Sequence, residues 1–309
     1  MAKKTLLSFF IPFLLLLGCR TKEKWNTATL LYFDTICEIN IYCLPQHFQS
    51  CQKELNRVFS KIETSFSPDS KDYSSPLVLE LFSKAYQVYQ VSYGFFDITV
   101  APLSRLWGFT DKNYRLPRPS EIEKKLESVG MEKIRIENDC LILPLNMELD
   151  WGGIAKGLGV DLASEALKNM GISRGFINAG GDLYCWGENP SSSPWKVGVK
   201  HPRKEGFLGI ISISNLGAAT TGDYQRFFKH KNVRYHHVFN PHTGYPARNK
   251  QTVVVIGPET LYCDALSTAL FASPQPERIL EKYPDYGAII VDSQGNIYKL
   301  GRTYPFKQL

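Results

Sequence analysis

The chain has no Cys-x-x-Cys pair among its seven cysteines, so zinc-ligand spacing is absent. It has no GxGxxG fingerprint and no P-loop, which removes the two familiar glycine-rich phosphate motifs. It has no basic run interleaved with aromatics. Its 36 Lys and Arg against 30 Asp and Glu are dispersed, and that argues against a nucleic-acid partner. It has no internal repeat and no linker long enough to force a domain split. Its longest apolar run, Leu6 to Leu17, is too short to span a bilayer and has the length of a signal-peptide core.

What stands around that run is informative. Lys3 and Lys4 precede it, and Leu16-Leu17-Gly18 leads into Cys19. A small residue just before a cysteine resembles a bacterial lipobox. The expectation is a signal peptide over 1–18, lipid on Cys19, a tether over 19–25 and one functional domain over 26–309. The protein is then held on the periplasmic or extracytoplasmic side of a bacterial membrane. An uncleaved anchor would leave it on the same side. Export would permit disulfides, and Cys37, Cys43 and Cys51 are close in sequence, but apolar neighbours make buried free thiols the default. The full chain, with 43% hydrophobic and 21% charged residues, has ordinary globular composition and is long enough to bury a core.

Periodicity divides the chain into elements. Residues 28–42 read as strand. Phe48, Cys51, Leu55, Val58, Phe59 and Ile62 recur at helical spacing, as do Leu77, Leu81, Ala85 and Val88 before Gly94. Ser120 and Glu123 predict a capping box for a helix over 121–129. Ala155 to Met170 reads as helix, stopped by Gly171, and 260–272 as another. Strands are predicted around 134–136, 140–143, 174–187, 195–200, 208–214, 234–239 and 253–256, with a hairpin over 286–291 and 296–300. Helices and strands mix without strict alternation, so the predicted class is α+β, with mixed sheets flanked by helices.

Polar chemistry gathers in a few segments. In Asp150-Trp-Gly-Gly-Ile-Ala-Lys-Gly157 a strand ends, glycines permit close backbone approach, and a helix begins. Helix N-termini favour anions, and Lys156 in the first turn opposes the dipole unless an anion offsets it. A phosphate would do so; a glycine-rich turn with a solvated lysine is the plain alternative. Asn178-Ala-Gly-Gly-Asp182 fits backbone approaching a ligand or an ordinary hairpin turn. In Tyr262-Cys-Asp-Ala-Leu-Ser-Thr268, Asp264 and Thr268 share a helix face. With backbone carbonyls and water they suit a hard cation such as Mg²⁺, although such pairs are more often solvated. His236 and His237 fall on a strand and point to opposite faces, so one of them facing a pocket can serve as acid or base; a pair of hydrogen-bonded structural histidines is the plain alternative.

Taken in order, these segments resemble the ApbE family of FAD:protein FMN transferases. The matching pieces are Phe96-Asp-Ile-Thr-Val-Ala-Pro-Leu103 with Leu106-Trp-Gly-Phe109, Asp150 to Gly157, and Asn178 to Asp182. Thr221-Gly-Asp-Tyr224, His236-His-Val-Phe-Asn-Pro-His-Thr-Gly-Tyr-Pro246 and Asp264-Ala-Leu-Ser-Thr268 complete the set. The resemblance implies Mg²⁺ held by the Gly153 carbonyl, Asp264 and Thr268. It implies FAD contacts from Phe96, Asp97, Asp150, Lys156, Asp182 and the backbone near Val238, with Phe66 as the stacking aromatic. It implies His237 nearest the chemistry, with Lys156 beside it. The implied reaction cuts FAD, releases AMP, and joins FMN to a Ser or Thr hydroxyl of an exported acceptor protein. Three segments depart from the family pattern: Phe33-Asp34-Thr35 where Met-Gly-Thr is frequent, Thr221 where Ser is frequent, and Asn240 where Asp is usual. A Mg²⁺-dependent FAD pyrophosphatase and a non-catalytic FAD-binding lipoprotein remain open alternatives. The Asp264/Thr268 pair argues against the second, since storage needs no metal.

Overall fold

The computed structural model describes residues 22–309, so the expected signal peptide over 1–18 and the expected lipid site Cys19 lie outside the described residues. A hairpin, β1 (Lys24–Tyr32) and β2 (Thr35–Cys43), leads into α1 (Pro45–Ser65) and α2 (Pro76–Val91). A 3-10 turn (Ile98–Val100), α3 (Ala101–Leu106), α4 (Pro119–Leu126), a second such turn (Met131–Lys133) and the short β3 (Arg135–Glu137) and β4 (Cys140–Ile142) follow. Then come α5 (Ala155–Asn169), β5 (Gly175–Ala179), β6 (Asp182–Trp186), β7 (Trp195–Lys200), β8 (Phe207–Ile213) and β9 (Leu216–Gly222). The chain ends with β10 (Phe227–His230), β11 (Val233–His236), β12 (Lys250–Gly257), α6 (Thr260–Ala272), α7 (Pro276–Leu280), β13 (Gly287–Asp292), β14 (Ile297–Gly301) and β15 (Phe306–Gln308).

Eight strands form one antiparallel sheet in the order β1-β2-β5-β6-β9-β12-β13-β14, which realises the α+β class. Helices cover one face and the three-stranded sheet β15-β8-β7 covers the other. The run Val253-Val-Val-Ile256 shows why. Side chains alternate across a strand. Val253 and Val255 join the helical core, while Val254 and Ile256 join the core under the small sheet. Every residue of β12 is buried. A strand covered on both faces needs no polar alternation, and its sequence has none. Helix α6 is apolar nearly all round and correspondingly buried along its length.

Local details differ from the expectations. The segment 28–42 is two strands, because Phe33 and Asp34 both take positive φ (58° and 54°) and form a tight turn. The capping box belongs to Arg118 and Glu121, not Ser120 and Glu123: Pro119 opens α4, and Glu121 Oε2 accepts from the Arg118 N–H at 2.8 Å. The central strand β9 and the outlying strand β10 have no counterpart among the predicted strands. The six described cysteines are free thiols, five of them buried.

Candidate active site

Two helix ends meet at the site. Gly157 lets them meet, since a Cβ there would lie 2.5 Å from the Thr260 carbonyl oxygen and 2.7 Å from Leu261 Cα. Asp161, one turn along α5, caps α6: its carboxylate accepts from the Thr260 and Leu261 N–H groups at 2.9 and 2.8 Å. Burial raises the Asp161 carboxyl to about 6 against those bonds. Sequence reasoning does not find this role, because the capping acid lies about a hundred residues before the helix it caps.

With the helices so placed, Lys156 stands between two carboxylates. Its ammonium pairs with Asp182 Oδ2 and lies 3.4 Å from Asp264 Oδ2. The Gly157 N–H donates to the same Asp264 oxygen at 3.2 Å. Asp182 and Asp264 are 3% and 4% exposed. Burial works to lower the lysine, but Asp182 and then Asp264 outweigh it and hold Lys156 charged. Burial, followed by the facing Asp182, raises the Asp264 carboxyl, and Lys156 pulls it back down. The anions that offset Lys156 are therefore side chains of this chain, where the dipole argument points to a phosphate.

Two acids against one base leave one negative charge in excess in a buried setting. Such an excess is stabilised by a proton or by a bound cation. The donors fit a cation. Thr268 shares a face of α6 with Asp264 and stays half-buried. Gly153 lies against it, with the position of an added Cβ only 3.3 Å from Thr268 Oγ1. A carboxylate, a hydroxyl and a carbonyl are hard oxygen donors of the kind Mg²⁺ takes. Among the described residues no group of three His, Cys, Asp or Glu could hold a metal, so this mixed donor set is the candidate.

The other predicted residues surround this centre. Phe96 is buried beside Gly153. Asp97 is buried and caps the turn after it, accepting from Thr99 N–H and Oγ1 at 2.8 and 2.6 Å, while burial raises its carboxyl to about 6. Asp150 is exposed and accepts from the Gly152 N–H at 2.9 Å, which shapes the glycine turn. Phe66 is folded into the core against the Trp151 ring, 5.1 Å between centroids and 8% exposed. Val238 is buried, with its N–H given to His236 and its carbonyl accepting from Ala247.

The two histidines have different surroundings, although β11 ends at His236 and His237 is the first residue beyond it. His236 points inward against Phe271 of α6, ring centroids 5.4 Å apart. Its Nδ1 accepts the Val238 N–H at 3.3 Å, so its Nε2–H donates to the Ala247 carbonyl at 2.5 Å. That is a neutral, structural imidazole, and burial pushes it down from 6.5 to about 4. His237, just past the end of β11, is half-buried. Its Nδ1 lies 3.2 Å from the Arg226 carbonyl, which fixes Nδ1 as the donor and leaves the Nε2 lone pair free. Burial, then the Arg226 charge, lowers it, and the Lys156 charge also reaches it. Asn240 forms a turn, accepting the His242 N–H at 2.9 Å, a bond that Asp would make equally well.

His236 gives a pH prediction. Its folded value lies below its unfolded value, so the unfolded chain binds the extra proton as pH falls from 6.5 to about 4. Stability is complete above that window and is lost on acidification, by on the order of 3 kcal/mol for a group this buried. Melting followed from pH 7 to 4 should show the loss, and His236→Gln should flatten it. An unchanged acid slope in that variant would assign the loss to other groups.

Comparison with known proteins gives one family. The sequence model of the ApbE family matches residues 33–290. The chain is 30% identical over 203 residues to a Haemophilus influenzae FAD:protein FMN transferase, covering 62% of this chain and 59% of that protein's length. It is 28% identical to the Vibrio cholerae FAD:protein FMN transferase over 72% of this chain and 73% of that one. In three dimensions it resembles the ApbE protein of Thermotoga maritima, with TM-score 0.83 and 28% identity over 90% of this chain and 97% of that one. The flavin transferase ApbE of Vibrio cholerae shares the fold, with TM-score 0.80 at 23% identity over 91% and 98% of the two chains.

Proposed function

The chain belongs to the ApbE family, and on that premise we propose that it transfers the FMN half of FAD to a Ser or Thr hydroxyl of an acceptor protein, releasing AMP. The observation that carries the reading is the buried Lys156–Asp182–Asp264 cluster beside Thr268 and Gly153. Mg²⁺ is the proposed cofactor, held by the Asp264 carboxylate, the Thr268 hydroxyl and the Gly153 carbonyl. When bound, it supplies Lewis-acid stabilisation of charge on the parting phosphates.

The rest of the work falls to the protein. Lys156, already paired with Asp182 and Asp264, would hold the Asp264 carboxylate in place for the cation, while the N-terminus of α5 would add positive potential toward the FAD pyrophosphate. The loops carrying Phe96–Asp97 and Asp150 approach the flavin, with Phe66 and Val238 as packing behind them. His237 presents Nε2, neutral and without a proton, and accepts the proton of the acceptor hydroxyl as it attacks. Burial and positive neighbours make it a weak base in the free protein. The anionic pyrophosphate brings negative charge toward those neighbours and raises its basicity when substrate is present. The acceptor is proposed to be an exported protein with a Ser/Thr flavinylation motif. The chain is proposed to meet it on the extracytoplasmic side of a bacterial membrane, tethered by lipid on Cys19.

The test is AMP release from FAD and Mg²⁺, followed with and without an acceptor. The expected result is AMP that depends on the acceptor, with little free FMN. AMP matched by free FMN without acceptor would make the chain a pyrophosphatase. Bound FAD with no AMP under either condition would leave a binding protein.

A further inference from the structure

Three hydroxyls behind the site form a chain whose polarity can be worked out from its fixed end. Ser267 Oγ donates to the Asp264 backbone carbonyl at 2.9 Å. A carbonyl only accepts, so the single Ser267 hydroxyl proton is committed there. Thr221 Oγ1 lies 2.6 Å from Ser267 Oγ, and with the Ser267 proton spent, Thr221 must be the donor. The Thr221 proton is then spent in turn. The 3.3 Å contact between Thr221 Oγ1 and Thr268 Oγ1 is therefore made by the Thr268 proton. Water does not upset this accounting, because Thr221 and Ser267 are 7% and 1% exposed. The Thr221 backbone is fixed as well, its carbonyl accepting from Thr252 Oγ1 at 3.1 Å on the neighbouring strand β12.

With its proton directed backward onto Thr221, the Thr268 hydroxyl offers only lone pairs to the site. It can ligate a cation but cannot donate to a phosphate oxygen. We propose that Thr221 and Ser267 are positioning residues for the cation site, setting the polarity of the Thr268 hydroxyl so that it acts as a ligand. This rests on the reading of Asp264, Thr268 and Gly153 as the Mg²⁺ ligands. It also accounts for the residue type at 221. Ser and Thr both carry the needed hydroxyl, whereas Val, the same shape without the oxygen, would break the chain between Ser267 and Thr268. The chain of bonds ends on the backbone of Asp264, so it couples the two side-chain ligands of α6 to each other as well as to β9.

The test is binding of Mn²⁺ to the full chain, read from the electron paramagnetic resonance signal of free Mn²⁺, without and with FAD. Asp264→Ala should abolish tight binding. Thr221→Val should weaken it on the order of tenfold, and Thr221→Ser should keep it within about twofold of the parent. A purely structural role for Thr221 would change melting without this ordering of Mn²⁺ affinities. Thr221→Val binding Mn²⁺ as tightly as the parent, while Asp264→Ala has lost it, would overturn the proposal and leave the metal site standing. Parent protein that binds no Mn²⁺ with or without FAD would overturn the metal reading itself. If Thr221→Val does not fold, Ser267→Ala serves. It removes the acceptor of the Thr221 proton and lets that proton turn onto Thr268, so several-fold weaker binding is expected, and unchanged binding would overturn the proposal.

Discussion

Replacing Asp264 by Ala should lower Mg²⁺-dependent AMP release by a factor on the order of 10²–10³, the usual cost of losing one strong electrostatic contribution to a transition state. The fold should survive, for a reason visible in the charge balance. Removing Asp264 leaves Lys156 paired one to one with Asp182, so the site goes from one excess negative charge to none. Asp264 is flanked by Cys263 and Ala265 on a largely apolar helix, which accommodates a small apolar side chain at that position. Activity and melting measured on the same preparation separate the two effects. Loss of AMP release with near-parent melting is the expected pattern. Full activity with Mg²⁺ would remove Asp264 from the metal site.

Lys156→Met should show the opposite balance, with the largest loss of stability of any single change at the site. It leaves Asp182 and Asp264 buried and facing each other without their shared cation. Breaking a buried pair by removing one partner costs about 3–5 kcal/mol, and the partial exposure of Lys156, 26% of its side chain, places this case toward the lower end. The pH dependence follows by sign. In the variant Asp264, raised by burial and by the facing Asp182 and no longer pulled down by the lysine, holds its proton more tightly than in the unfolded chain. Stability is therefore retained at low pH and lost as pH rises through the folded value. Melting should fall between about pH 5 and pH 8 in the variant more steeply than in the parent. Mg²⁺ should restore part of the loss, and adding Asp182→Asn should restore more. A variant that melts like the parent at both pH values would show that the three charges do not depend on one another.

Much of this arrangement is legible in residue patterns, and the parts that are not have physical reasons. Helix α6 shows itself over 260–272 because its apolar residues run without a breaker, and a lone acid in such a helix is a conspicuous burial cost. Strand alternation predicts different surroundings for His236 and His237, and the structure buries the first against Phe271 and leaves the second half-buried, although the strand itself stops at His236. The strand β9 escapes notice for the same reason that it matters. Its Leu216-Gly-Ala-Ala-Thr-Thr-Gly222 sequence lacks bulky β-formers because α6 lies close above it, and a Cβ on Gly217 would come 2.6 Å from Thr260 Oγ1. Small side chains that permit close packing weaken the strand signal. The pairing of Lys156 with two acids distant in sequence, Asp264 being 108 positions away, is a product of the fold, and no local pattern announces it. The capping box is displaced because Pro119 sets the helix start earlier than the serine that follows it.

Movement of FMN from FAD to a protein hydroxyl can be read from the intact mass of an acceptor. An exported acceptor with a Ser/Thr flavinylation motif is incubated with the protein, FAD and Mg²⁺, alongside the same acceptor with its motif hydroxyl residue replaced by Ala. The expected result is one FMN phosphoester added per acceptor, matched by one AMP, and nothing added to the Ala form. AMP released at the same rate with both acceptors, and no mass gained by either, would contradict it.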